Sequence, residues 1–261
     1  MVLQPTGLGS RRRSAIDVVL PGLRRIRIGH LLGFTNAYVV DAEDGPAIVD
    51  TGTVGALRPL LAGIREAGRN PRNIRHITLT HAHFDHAGTV ARLAAATGAR
   101  VWVHEADAAL ARGEAPNPSP GMGPTKLGPL LGFLWLGLRN GGLRRPKVEV
   151  VSTYGDGATL DVPGAPRVIL APGHTPGSAA LHVAALDVLF AGDALATYAV
   201  TTGRRGPQVA PFTADARQAV ASLSRLEPTG ARLVLPGHGD AWTDGIAGAA
   251  DAMRAAAAGA A

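Results

Sequence analysis

The most informative segment of the sequence places three histidines and one aspartate within six positions: His81, His83, Asp85 and His86. The run from residue 74 to 80 before them predicts a strand. Because His81 and His83 are two positions apart, an extended backbone directs both rings to the same side. Asp85 and His86 would then project from the start of the next helix. Imidazole and carboxylate groups that converge in this way suit Zn, Fe or Mn, so the segment predicts a metal site.

Three further side chains of the same chemistry follow predicted apolar strands and stand beside glycine: His174, Asp193 and His238. Glycine allows a tight turn where a strand ends. A rigid sheet would therefore present each of these side chains on a turn at its edge.

The composition restricts how such a site can be built. The 261 residues contain no cysteine, which excludes disulfides, thiolate ligands and a cysteine nucleophile. Hydrophobic residues make up 46% and charged residues 18%, which excludes a disordered chain. The net charge is +6, but the basic residues are scattered in twos and threes, so they predict no clear nucleic-acid surface.

Strands and helices alternate along the chain in two successive sets. The first set has predicted strands at 16–20, 25–28, 37–40, 47–49, 74–80 and 100–103 and helices at 54–67 and 89–97. The second set has predicted strands near 148–151, 158–162, 167–170, 179–183, 187–190 and 231–235 and helices at 213–226 and about 245–258. This alternation predicts a layered α/β fold made of two similar halves.

We interpret residues 14–261 as a single domain, preceded by a flexible tail at 1–13. The segment from about 105 to 147 stands apart, because many Pro and Gly residues surround an apolar, helix-sized run at 127–138. We interpret it as an insertion, either a lid or a packed surface helix. No apolar run reaches the ~18 residues of a membrane-spanning helix. We therefore expect a cytoplasmic protein without a membrane span.

Five motifs occur in an order that resembles the metallo-β-lactamase superfamily. They comprise Ile-Val-Asp-Thr-Gly at 48–52, the histidine segment at 80–88, Ala-Pro-Gly-His-Thr-Pro-Gly-Ser at 171–178, Ala-Gly-Asp-Ala-Leu at 191–195 and Leu-Pro-Gly-His-Gly at 235–239. The resemblance extends from about residue 16 to 240. It implies a four-layer αβ/βα sandwich with a metal pair at one edge of two facing sheets.

The resemblance also implies a role for each residue that matches a motif. His81, His83 and His174 would bind one divalent ion, Asp85, His86 and His238 would bind a second, and Asp193 would bridge them. Zinc is the foremost candidate, with iron or manganese as alternatives. Asp50 matches no ligand position and is expected to orient a ligand. The remaining histidines are not assigned to metal; they are His30, His76, His104 and His182.

Such a metal pair predicts hydrolysis. Two ions about 3.5–4 Å apart can hold a hydroxide that attacks an electrophilic centre. Asp85 would act as the catalytic residue that orients it and moves a proton to the leaving group. We therefore predict a dinuclear metal-dependent hydrolase that cleaves an ester, thioester or lactone bond of a small molecule. The alternatives are an amide hydrolase of the β-lactamase type, a phosphodiesterase or ribonuclease, and a mononuclear iron persulfide dioxygenase.

Five residues are candidates for contacting the substrate. Tyr198 follows Asp193 by five positions, which is similar to the tyrosine that lactonases of this superfamily place after the bridging aspartate. Arg204 and Arg205, on a predicted loop at 200–212, could pair with a carboxylate or phosphate. Phe133 and Trp135 could form one wall of a hydrophobic pocket. Packing or solvent exposure is the simpler interpretation of each of these five residues. The sequence is also compatible with a homodimer.

Overall fold

The computed structural model describes residues 16–29, 35–43, 45–139 and 147–259. The predicted tail at 1–13, His30 and residues 140–146 of the predicted insertion lie outside these residues. Two sheets face each other in the described part of the chain, and each carries helices on its outer face.

The larger sheet has seven strands in chain order among the described residues: β1 (Ile16–Leu20), β2 (Leu23–Ile28), β3 (Thr35–Val40), β4 (Ala47–Val49), β5 (His76–Thr78), β6 (Arg100–His104) and β7 (Ser152–Tyr154). The strands from β1 to β4 pair antiparallel, whereas those from β4 to β7 pair parallel. Parallel pairing requires crossover segments. The crossover after β4 contains α1 (Leu57–Glu66), and the crossover after β5 contains α2 (Phe84–Ala87) and α3 (Val90–Thr97). The crossover after β6 contains α4 (Ala108–Ala111), followed by a longer helix that is described with the second half of the chain.

The second half of the chain forms a smaller sheet and a separate hairpin. Its strands are β8 (Arg167–Leu170), β9 (Ala179–Val183), β10 (Val188–Gly192), β11 (Ala196–Tyr198), β12 (Arg205–Gln208) and β13 (Leu233–Pro236). The smaller sheet has the order β13-β10-β9-β8, and β11 pairs with β12. The remaining described helices are α5 (Leu127–Arg139), which precedes β7, α6 (Ala216–Leu226) and α7 (Gly245–Ala258).

Alternation of side chains along the strands explains the four layers. In β3, Val39 packs with the helices outside the larger sheet, while Tyr38 packs with residues of the smaller sheet. In β10, Leu189 packs with α6 and α7, while Phe190 packs towards the larger sheet. The layers are therefore helix, sheet, sheet and helix, and the predicted αβ/βα sandwich is confirmed.

Tyr38 and Asn36 hold the two sheets together at one edge. The Tyr38 ring lies 5.2 Å from that of Phe190, and its hydroxyl donates to the Pro236 carbonyl at 2.7 Å. The Asn36 amide donates to the Pro236 and Gly239 carbonyls at 2.9 and 2.8 Å. These bonds fix the end of β13, which is where His238 follows.

Several predicted strands differ from the structure. Residues 148–151 form no strand, and β7 begins only at Ser152. The predicted strand at 158–162 is reduced to one bridge between Thr159 and Arg167, because the chain bends and turns at 161–164. The predicted loop at 200–212 contains β12, whose Gly206 and Pro207 are tolerated because the strand pairs on one side.

The apolar run of the predicted insertion forms α5. Its large apolar side chains face in different directions: Phe133 packs towards the protein, whereas others are 45–74% exposed, namely Leu127, Leu131, Leu134, Trp135 and Leu138. Among the helices of the described residues, none combines the length and apolar character needed to cross a membrane.

Candidate metal centre

The seven predicted ligand residues lie together at the edge of the sandwich: His81, His83, Asp85, His86, His174, Asp193 and His238. The larger sheet provides the first four, in the turn after β5 and in α2. The smaller sheet provides the other three, in the turns after β8, β10 and β13. Short loops after rigid strands therefore bring residues from 81 to 238 into one place.

The ligand atoms form two clusters, and within each cluster all of them lie within 4.8 Å of one another. One cluster comprises His81, His83 and His174, and the other comprises Asp85, His86 and His238. A third group, His81, His86 and Asp193, meets the same distance and takes one histidine from each cluster.

Asp193 lies between the two clusters. Its Oδ2 is 3.4 Å from His174 Nε2 and 3.1 Å from His238 Nε2, while its Oδ1 is 3.6 Å from His86 Nε2. Asp193 thus lies within 3.6 Å of ring nitrogens from both clusters.

Asp50 orients two of the histidines. Its Oδ2 accepts from His86 Nδ1 at 2.9 Å and from the Thr80 hydroxyl at 2.8 Å. Because the only Thr80 hydroxyl proton goes to Asp50, Thr80 Oγ1 accepts from His81 Nδ1 at 3.1 Å. Nε2 of His81 is therefore left with a lone pair. Burial would lower the pKa of His86, but the carboxylates of Asp193, Asp50 and Asp85 outweigh it and raise that pKa well above its usual range.

Hydrogen bonds also determine which ring nitrogens of His83 and His174 carry a proton. Asn117 Oδ1 accepts from His83 Nε2 at 3.1 Å. The Thr213 hydroxyl donates to the Ala210 carbonyl at 2.7 Å and so accepts from His174 Nδ1 at 2.9 Å. His83 Nδ1 and His174 Nε2 then carry lone pairs and lie 2.8 Å apart. Two lone pairs at this distance repel, so the arrangement fits a cation that binds both nitrogens from the side of the pocket.

Further observations indicate that a metal pair fits these residues. His81 Nε2 and Asp193 Oδ1 are buried and have no hydrogen-bond partner in the described part of the chain. A buried polar atom without a partner costs about 1–3 kcal/mol, which a bound ion would remove. A Cβ at Gly237 would lie 2.2 Å from Asp193 Oδ1 and 2.6 Å from His86 Cε1, so glycine keeps this space free.

The protonation of these groups follows from burial and from the neighbouring charges. Burial lowers the pKa of His81 well below its usual range and that of His174 to about 3, so these rings are neutral. Burial would also lower the pKa of His238, but the carboxylates of Asp193 and Asp85 outweigh it and raise that pKa to about 10. The cationic neighbours in turn hold the pKa of Asp85 at about 2 against the effect of its burial. Burial would raise the pKa of Asp193 as well, but His238 and His86 lower it well below its usual range, so both carboxylates are ionised, as metal ligands must be.

Sequence reasoning missed Asp107, which joins the two loops of the first cluster. It is fully buried and accepts from the Ala82 and Gly177 amides at 2.9 and 2.7 Å and from the Thr175 hydroxyl at 2.8 Å. Ala82 lies between two predicted ligands, and Thr175 follows His174. The only signal in the sequence was an acidic residue shortly after a predicted strand, as for Asp50 and Asp193.

Phe133 and Trp135 were predicted to form a pocket wall, and the structure separates them. The Phe133 ring lies 5.4 Å from that of Phe212, which lines the pocket over the ligands together with Val200 and Pro211. Phe133 thus supports that wall from behind. Trp135 is 54% exposed, and the Arg139 guanidinium lies over its ring, so it does not face this pocket.

The other predicted substrate residues also lie away from the ligands. The Arg205 guanidinium lies over the Tyr198 ring at 5.6 Å and is 3.8 Å from the Asp240 carboxylate. Neither Tyr198 nor Arg205 is among the described residues that line the pocket over the ligands. Arg204 lines a separate, neighbouring cavity. The simpler interpretations, packing for Tyr198 and solvent exposure for the arginines, agree with these positions.

Three of the four unassigned histidines are among the described residues, and all three lie outside the clusters. Within the described ranges, His76, His104 and His182 belong to no group of three potential ligands. His76 accepts from the Trp102 indole at 3.4 Å, and His104 accepts from the Ala106 amide at 3.2 Å.

Comparisons with known proteins agree with this geometry. The family model of the metallo-beta-lactamase superfamily matches residues 30–238. A human relative, metallo-beta-lactamase domain-containing protein 1, is 32% identical over 158 residues, which are 58% of each chain. The chain spans about three-fifths of the length of the curated relatives it matches.

Two solved structures are similar over most of the chain. The metallo-beta-lactamase family protein TTHA1429 from Thermus thermophilus is 29% identical with a TM-score of 0.64, covering 90% of this chain and 78% of that one. TTHA1623, solved in a di-iron-bound form, is 29% identical with a TM-score of 0.58, covering 84% of this chain and 93% of that one.

Proposed function

Because this chain belongs to the metallo-beta-lactamase superfamily, we propose that it is a dinuclear metal-dependent hydrolase acting on an ester, thioester or lactone. The observation that carries the proposal is the pair of ligand clusters with Asp193 between them. We assign His81, His83 and His174 to one ion, the residues of the other cluster to the second, and Asp193 to both.

Two divalent ions held there would lower the pKa of a bound water from 15.7 towards about 7 and polarise the oxygen of a bound carbonyl. The chain contributes a fixed arrangement of imidazoles, since Asp50, Asn117 and Thr213 hold the outer ring nitrogens. Asp193 offsets part of the charge that two ions would bring together.

Asp85 is the residue we assign to proton movement. Its side chain is 13% exposed and lines the pocket, and its Oδ2 lies 3.4 Å from His238 Nε2. A carboxylate at the open side of the ligands can accept a proton from the attacking water and deliver it to the leaving group. His86, in contrast, is fully buried and is not among the described residues that line the pocket.

The pocket walls favour a neutral carbonyl substrate over a phosphodiester. Val200, Pro211 and Phe212 form the apolar side of the pocket, and Asn117 is the amide side chain in its described lining. No Lys or Arg is among the described residues that line it. A phosphodiester carries a negative charge, for which enzymes usually provide basic groups. In this pocket, only the metal site itself could balance the negative charge of a phosphodiester.

The first test combines metal analysis with turnover of a thioester, a lactone, a phosphodiester and a chromogenic β-lactam. We expect about two ions per chain and turnover of a carbonyl substrate. H83A and D85A should each lower kcat at least about 100-fold while leaving the circular dichroism spectrum unchanged. The matched control is H182A, because His182 is half-buried in β9 and outside the clusters. Retained turnover in D85A would contradict the proposed role of Asp85.

Zinc is the ion we propose, and the di-iron-bound form of TTHA1623 makes iron the alternative. The same metal analysis separates the two. One iron per chain, with oxygen consumption on a persulfide, would contradict the hydrolase and leave Asp85, His86 and His238 without a catalytic role.

A further inference from the structure

We propose that a large cavity beside the metal pocket binds the aliphatic acyl group of the substrate. The proposal rests on the proposed function and adds a substrate class to it, namely esters or thioesters of medium-chain fatty acids. The two spaces share a wall, and their sizes and the chemistry of the cavity favour this assignment.

The space directly over the ligands is too small for a whole substrate. Its volume is about 10 Å³, which is what a single water needs. The neighbouring cavity has a volume of about 860 Å³, within the ~300–1,000 Å³ typical of small-molecule sites. The scissile carbonyl alone can reach the ligands, and the rest of the molecule needs the cavity.

Pro211 and Phe212 line both spaces. The Phe212 backbone has a φ of +64°, a left-handed conformation that bulky residues rarely adopt. The hydroxyl of the neighbouring Thr213 donates to the Ala210 carbonyl and accepts from His174. The Phe133 ring contacts the Phe212 ring. Phe212 is thus held from both sides at the boundary between the cavity and the ligands.

The cavity walls suit an aliphatic chain. They come from the loop before α5, the hairpin of β11 and β12, the segment at 208–213, and α6 and α7. Most of the lining is Ala, Pro, Gly, Val, Met and Phe. Lys126 and Arg204 are the charged residues in the described lining, both are exposed, and no acidic residue accompanies them. A cationic ligand would therefore find no partner there, whereas each buried methylene can strengthen binding up to about fourfold.

The test compares kcat/KM for N-acetylcysteamine thioesters of acetyl, hexanoyl and decanoyl groups. Ala257 lines the cavity on α7 and is not part of the metal pocket, so A257F obstructs the cavity at a residue that does not line the space over the ligands. Ala258 is the next residue, is exposed and does not line the cavity, so A258F is the matched control. We expect kcat/KM to rise at least tenfold from acetyl to decanoyl in the parent protein and in A258F. In A257F the rise should shrink to within about twofold, because the longer acyl groups lose space in the cavity.

A binding measurement separates this inference from the proposed function. Fluorescence of 11-(dansylamino)undecanoic acid reports binding of an aliphatic chain whether or not the protein hydrolyses anything. We expect the parent protein and A258F to bind it at least tenfold more tightly than A257F. Turnover that does not depend on chain length, or equal binding by all three proteins, would overturn the inference. No thioester turnover together with weakened probe binding in A257F would contradict the hydrolase and support the cavity as an aliphatic site.

Discussion

His83 and His174 show how single hydrogen bonds determine the state of the metal centre. Asn117 and Thr213 each take one ring nitrogen, and the two remaining nitrogens face each other at 2.8 Å. The ring protons of His83 and His174 therefore lie on the outer nitrogens, and neither occupies the position where an ion would lie. Asn117 and Thr213 thus orient the two rings for metal binding, although neither residue is a predicted ligand.

Asp107 should affect metal binding although it is not a predicted ligand. In D107N the carboxamide would place an N–H group against the Ala82 amide, the Gly177 amide or the Thr175 hydroxyl, which now all donate to the carboxylate. Because these bonds hold the two loops of the first cluster, we expect zinc affinity to fall about 10–100-fold. Competition with a chelating indicator measures the affinity.

The matched control for D107N is E105Q, an exposed acidic residue on the same turn. It should bind zinc like the parent protein. Equal affinity of D107N and E105Q would show that the loops keep their positions without the carboxylate.

The sequence was informative about the predicted ligands but not about the residues that support them. His81, His83, Asp85 and His86 stand close together in the chain, so spacing alone indicated their chemistry. The three partners of Asp107 lie 25, 68 and 70 positions away, and two of them are main-chain amides that no residue type marks. Only the folded chain brings such contacts together.

At the scale of elements, the start of α6 is tied to the loop that carries His174. The Ala214 amide donates to the His174 carbonyl at 3.2 Å, and the Asp215 amide donates to the Gly173 carbonyl at 2.8 Å. The Asp215 side chain caps the helix by accepting from the Gln218 amide at 2.9 Å. We expect D215A to lower the free energy of unfolding by about 1 kcal/mol, as measured by urea denaturation.

α7 provides the control for this prediction. Asp244 stands at the same position before α7, is also exposed, and makes no capping bond with its side chain. D244A should therefore change the free energy of unfolding by less than about 0.5 kcal/mol. If both variants lost the same stability, the helix start would not depend on the Asp215 bond.

The elements themselves were predictable where the hydrophobic pattern was regular. β8 and β9 and the extent of α7 agree with the prediction, because the two strands are short apolar runs and the helix is a long Ala-rich stretch. β12 was missed because Arg205-Gly206-Pro207-Gln208 lacks that pattern, and its place in the hairpin depends on pairing with β11. The hairpin also forms one side of the proposed acyl cavity, so the least predictable segment lies where substrate specificity would be decided.

At the scale of the whole molecule, each ligand cluster takes two residues from the larger sheet and one from the smaller sheet. Bonds such as that from the Ala179 amide to the Thr80 carbonyl, at 2.9 Å, already join the sheets at this edge. Ions bound to both clusters would add further connections between the halves of the sandwich, and these would break when the halves separate.

Metal binding should therefore stabilise the entire fold and not only the site. A ligand that binds only the folded state at 100 times its Kd adds about 2.7 kcal/mol, and for a chain of this size that corresponds to roughly 5–10 °C in Tm. We expect zinc to raise the Tm of chelator-treated protein by this amount in calorimetry. H174A removes the one predicted ligand that the smaller sheet contributes to the first cluster, so it should lose much of the increase, whereas H182A should keep it. An equal increase in H174A would mean that His174 contributes nothing to this stabilisation, since Asp193 and His238 of the smaller sheet would then be sufficient to connect the halves.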